Sequence, residues 1–106
     1  MNARVTTFKI TRAKWDAAME TIQTQVAARV SHNPAVKAGY WMADPTQGKL
    51  VVTVVFESEA AMHNAAHTAK QLRELALQFD ATSESVDELS VVAAVEGHNF
   101  EAPGPH

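Results

Sequence analysis

The chain has 106 residues, 46% apolar and 20% charged, which suits one folded domain with a real core and is too short for two. Nine basic residues against twelve acidic ones give a net charge of −3 with no basic stripe, so no nucleic-acid partner is expected. With no cysteine, disulfides, thiolate nucleophiles and cysteine-based zinc or iron–sulfur sites are excluded.

The opening MNARVTTFKI has no long apolar stretch after a basic start, and no run reaches the length of a membrane span. The expectation is a cytoplasmic protein with no membrane partner. Residues 4–10, RVTTFKI, predict a first strand. Thr11 is a candidate N-cap for a helix to about Val30, whose apolar positions Trp15, Met19, Ile22, Val26 and Val30 keep the spacing of one buried face. Ser31, His32, Asn33 and Pro34 stop it. Strands at about 36–43 and 48–56 flank the turn Asp44-Pro45-Thr46-Gln47-Gly48. Ser58 caps a second helix running to about Phe79, with Glu59 where the helix dipole favours an anion. A polar loop from Asp80 to Ser85 should lead to a last strand at about 86–96, VDELSVVAAVE. Residues 1–97 then form one domain, and 98–106 an irregular tail.

The order βαββαβ is that of the ferredoxin-like α+β fold, a four-stranded antiparallel sheet with two helices on one face. The third strand, GKLVVTVVF, has no polar face: Leu50, Val52, Val54 and Phe56 point one way, Val51, Thr53 and Val55 the other. Strands two and four are expected to be apolar on both sides as well. Two helices cover one face only. A bare apolar patch of a few hundred Å² normally marks an interface, so a homodimer through sheet-to-sheet packing is expected.

NPAVKAGYWMADPTQGKLVVTVVFES and the helix opening FESEAAMHNA resemble the dimeric α+β barrel superfamily, in particular its antibiotic biosynthesis monooxygenase-like branch. The likeness covers roughly residues 4–96. Pro34-Ala35-Val36-Lys37-Ala38-Gly39 is a loosened form of the approach to strand two, and Phe56-Glu57-Ser58 a close form of the step into the second helix. The resemblance implies a homodimer with a pocket between helices and sheet, and activities that include cofactor-independent oxygenation of polycyclic aromatics and heme degradation. The heme-degrading branch has an Asn on strand one with a Trp and a His on helices. Strand one over 4–10 has Thr6 and Thr7 but no Asn, and Trp15 and Trp41 lie outside the second helix, so heme degradation is disfavoured. The aromatic-oxygenating branch implies Asn64, Trp41, Tyr40 and Arg73 as loose counterparts of its pocket residues, and no cofactor.

The residues themselves add detail. On the second helix Met62, Ala65, Ala66, Ala69, Leu72, Leu75, Ala76, Leu77 and Phe79 make an apolar arc, with Arg73 inside it. A guanidinium there would hold an anionic or enolic ligand, or else snorkel to water. His63 and His67 at i and i+4, with Glu74 on the same stripe, are weak candidates for a metal, and the Glu of an H-E-x-x-H motif is missing. His63, at the edge of the arc, is also a candidate acid–base group. Tyr40 and Trp41 point to opposite faces, so one of them meets the pocket and the other the partner. Trp15 reads as core, and His98 and His106 carry no signal.

The leading expectation is a homodimeric small-molecule-binding protein, a cofactor-independent monooxygenase of an aromatic or quinol-like substrate. Arg73, His63, Asn64 and Tyr40 are its catalytic candidates and Trp41 a stacking wall. The alternatives are a non-enzymatic binding or stress-associated dimer whose own side chains fill the interior, and a metal-dependent enzyme built on His63, His67 and Glu74.

Overall fold

In the computed structural model, which describes residues 1–95 apart from the side chains of His67 and Thr68, four strands form one antiparallel sheet. The strands are β1 (Asn2–Lys9), β2 (Val36–Asp44), β3 (Lys49–Phe56) and β4 (Thr82–Ser90), in the order β2-β3-β1-β4. β1 and β3 are central, and β3 lies between β1 and β2, the split βαβ of the ferredoxin-like fold. No helix among the described residues is long and apolar enough to cross a membrane.

The first helical segment opens with a 3-10 turn (Arg12–Lys14) and continues as α1 (Trp15–Thr21), a π-helical turn (Ile22–Val26) and α2 (Ala27–Ser31). Thr11 holds the N-cap position with extended backbone but makes no side-chain cap. The expected second helix is two helices, α3 (Glu59–Asn64) and α4 (Ala66–Leu77), broken at Ala65. Ser58 caps α3 as expected, its hydroxyl accepting from the Ala61 N–H at 3.1 Å.

The hairpin between β2 and β3 follows from its turn residues. Asp44 Oδ1 accepts from the N–H groups of Thr46 and Gln47, and Gly48 takes φ +65°. A Cβ at Gly48 would lie 2.8 Å from the Ile10 carbonyl oxygen. The Gly48 carbonyl in turn accepts from the Ile10 N–H at 2.9 Å, tying the hairpin to the end of β1.

The C-terminal part departs from expectation. α4 ends in a Schellman motif: the Asp80 N–H donates to the Leu77 carbonyl at 3.2 Å and the Ala81 N–H to the Ala76 carbonyl at 3.2 Å. Asp80 supplies the left-handed residue at φ 54°, a role more often filled by glycine, and Ala81 is buried against the core. The polar loop is therefore one tight turn, and β4 is Thr82–Ser90 rather than 86–96. Its register is set by β1, from Lys9 opposite Thr82 to Asn2 opposite Ser90, and the ladder closes with the Val91 N–H on the Met1 carbonyl. β4 is thus polar and exposed, not apolar on both sides. The apolar residues 91–95 follow it without regular structure, with Val92 and Val95 almost fully exposed. The expected tail, 98–106, and the end of the expected strand lie outside the described residues.

Two core clusters sit between helices and sheet. Ile10, Ala18, Leu50 and Ala81 form one, with Trp15, Trp41 and Phe79 packed against it. Phe56, Met62 and Ala65 form the other. The opposite face of the sheet carries the rows Ala38–Val55–Ala3–Leu89, Tyr40–Thr53–Val5–Asp87 and Met42–Val51–Thr7–Ser85. Tyr40, Met42 and Leu89 on it are each at least half exposed. The structure predicts that Gly48→Ala costs about 1–3 kcal/mol of stability through left-handed strain, measured by urea denaturation; an unchanged midpoint would contradict the turn geometry.

Candidate functional site

Alternation along the sheet puts Arg4, Thr6 and Phe8 of β1, Leu50, Val52, Val54 and Phe56 of β3, and Trp41 of β2 on the helix side. Between these and the helices lies a cavity of about 130 Å³, walled by members of both core clusters. One water needs roughly 10–15 Å³ measured this way, so the space admits an organic molecule. Ile22 and Val26, in the π-helical turn, and Ala65, at the helix break, all line it. Both helical irregularities therefore border the same space. An interior filled by its own side chains is not what the fold has.

The walls are mostly apolar, with four aromatic rings: Phe8, Trp41, Phe56 and Phe79. The charged residues that line it are Arg4 and Arg73; among the described residues no carboxylate does. Arg73 is exposed yet reaches the cavity, which places it at the rim, and among the described residues it has no hydrogen-bonded or ionic partner. Arg4, which sequence reasoning passed over, has a side chain only 13% exposed. Its Nη2 donates to the Met62 carbonyl at 3.1 Å and to Glu88 Oε2 at 3.3 Å, and its guanidinium lies 5.8 Å from the centre of the Phe56 ring. The Met62 carbonyl sits beside the helix break, where it also accepts the Ala65 N–H at 3.2 Å, so Arg4 is its second donor. Arg4 shares strand parity with Phe8, and that was the available signal.

The other candidates separate. Trp41 faces the cavity, and Tyr40 lies on the opposite face, 53% exposed. His63 and Asn64 are exposed at the end of α3 and do not line the cavity. His63 Nε2 is 3.8 Å from Glu88 Oε2, the oxygen that Arg4 also holds. The side chain of His67 lies outside the described residues, Glu74 is exposed on α4, and Ala65 breaks the helix between the two histidines. Among the described residues no group of three His, Asp or Glu side chains could hold a metal. Leu77, assigned to the apolar arc, is 69% exposed because α4 ends there. β1 begins at Asn2, so it does carry an Asn, though not in the cavity wall.

Gly39 controls one wall. A Cβ there would lie 3.1 Å from Trp41 Cζ3 and 3.2 Å from Cη2, so the indole rests close against the glycine. Gly39→Ala is expected to push the ring aside by a few tenths of an ångström and so shift Trp41 emission in a Trp15→Phe background. Unmoved emission would contradict this packing.

No protein-family model matches the chain, and no curated protein does. Solved structures do match in fold. SnoaB from Streptomyces nogalater, a cofactor-independent oxygenase, superposes with TM-score 0.68 at 18% identity, over 91% of this chain and 97% of its own. The monooxygenase of the gene ActVA-Orf6 of Streptomyces coelicolor, in complex with nanaomycin D, gives TM-score 0.66 at 17% identity, over 91% of each chain. MhuD from Mycobacterium tuberculosis, a heme-degrader with two hemes in its active site, gives TM-score 0.68 at 15% identity, over 91% of this chain and all of its own. At these identities the likeness is one of architecture: the chain has the ferredoxin-like fold shared by the antibiotic biosynthesis monooxygenase-like proteins.

Proposed function

We propose that this protein is a homodimer that binds an aromatic or quinol-like molecule in the cavity and oxygenates it without a cofactor. The observation that carries the reading is an apolar, aromatic-walled cavity whose only charged residues among those described are cationic. An anthrone-type substrate loses a proton from its activated CH₂ group to water at the rim, and the resulting anion donates electrons to O₂. One oxygen atom stays as a new carbonyl and the other leaves as water, so CH₂ plus O₂ becomes C=O plus H₂O. The cavity's part is to desolvate the anion and to stabilise its charge.

Arg73, free of protein partners among the described residues, is the group that meets that charge at the rim. Trp41 stacks on the rings. His63 acts only through Glu88, and Asn64 has no direct role from its place on α3. Tyr40 belongs to the outer sheet face, where a second copy would cover it together with Met42 and Leu89. The fold likeness to an oxygenase that needs no cofactor and to a monooxygenase holding nanaomycin D supports the reading. The likeness to a heme-degrader supports only the wider statement that this architecture encloses small molecules.

The test is oxygen uptake with 1,8-dihydroxyanthrone. The expected result is uptake above the buffer rate with one O₂ per substrate, lowered about tenfold by Arg73→Ala, equal to ~1.4 kcal/mol of transition-state stabilisation. Binding without uptake would contradict the oxygenase and leave a binding protein with an open cavity. Native mass spectrometry should give twice the 11.5 kDa chain mass, and Tyr40→Glu should give the monomer; a monomeric parent protein would overturn the dimer.

A further inference from the structure

We propose that the Arg4–Glu88 ion pair is a placeholder, and that the cavity selects an aromatic ligand carrying a carboxylate, which takes the place of Glu88 on Arg4. This rests on the reading of the cavity as a ligand site and names the chemical class that the site takes.

Three observations converge on it. The first is the state of Arg4. Arg4 lines the cavity with its side chain only 13% exposed, where a charge needs a partner. Its pair with Glu88 is a single contact, Nη2 to Oε2 at 3.3 Å, and the same nitrogen also serves the Met62 carbonyl. Among the described residues its Nη1 and Nε donate to nothing, so the two-pronged grip that arginine offers a carboxylate is unused. The second is the place of Glu88. It lies on the edge strand β4 with its side chain 42% exposed, and it is not part of the cavity wall. Being this exposed, it can turn outward at little cost, and the exposed His63 Nε2 lies 3.8 Å from the same oxygen.

The third is the sign of the cavity. A chain of net charge −3 lines this space with two guanidiniums and, among the described residues, no carboxylate. Exchanging one carboxylate for another leaves Arg4 paired throughout, while the aromatic body gains about 25 cal/mol for each Å² of apolar surface it buries. A neutral ligand of the same shape gains only the burial.

Calorimetric titration with 2-naphthoate and with 2-naphthalenemethanol, its neutral counterpart, tests this on the full chain. The parent protein is expected to bind the acid at least tenfold more tightly than the alcohol. Glu88→Gln should tighten the acid about tenfold further, leaving the alcohol unchanged, and Glu84→Gln on the same strand should do neither. Arg4→Gln should abolish the preference; should that variant fail to fold, the Glu88→Gln result decides alone. Equal affinity for both probes, unmoved by Glu88→Gln, overturns the placeholder and leaves the cavity as a ligand site. Binding of neither probe to any variant overturns the ligand site and the placeholder together.

Discussion

Everything in this fold depends on β3 being central and apolar on both faces. Leu50, Val52, Val54 and Phe56 hold one row under the helices, and Val51, Thr53 and Val55 hold the other row outside. A strand of that kind cannot sit at an edge or face water on one side without cost. It sets β1 and β2 beside it, commits Trp41 to the helix side, and leaves Tyr40 and Met42 on the exposed outer face.

The cavity lies where both helical segments are interrupted. A continuous α-helix over Ser58 to Phe79, and another over Arg12 to Ser31, would be free to pack evenly on the sheet. The π-helical turn at Ile22–Val26 and the break at Ala65 interrupt both, and both interruptions border the open space. Arg4 reaches from the sheet to the break and donates to the Met62 carbonyl there. That one guanidinium joins β1, α3 and β4, so fold and site share a residue.

Most of the architecture was legible because it is written in periodicity. The two-residue alternation of β1 to β3, the Asp44 to Gly48 turn and the Ser58 cap each have a local physical cause, and each is where the pattern places it. β4 was misplaced because β-propensity favours VVAAV over TSES, while the register against β1 and the Schellman turn at Asp80 choose TSES. A left-handed Asp leaves little trace next to a left-handed Gly. Of the site, Arg73 and Trp41 could be read from helical and strand faces. Arg4 could not be separated from an edge charge until its neighbours were known, since only tertiary packing brings Met62 and Glu88 to it. His63 and Asn64 looked closer to the interior because the apolar arc was drawn on a helix that does not continue through Ala65.

The measurement that tests the central claim most directly is a titration of ¹⁵N-labelled protein with 2-naphthoate, followed through the Trp41 indole N–H and the arginine Nε–H resonances. Saturable shifts are expected at Trp41, Arg4 and Arg73, with the Tyr40 and Met42 side chains unmoved. Shifts confined to Tyr40, Met42 and Leu89, with Trp41 and both arginines silent, would put the apolar ligand on the sheet face and contradict it.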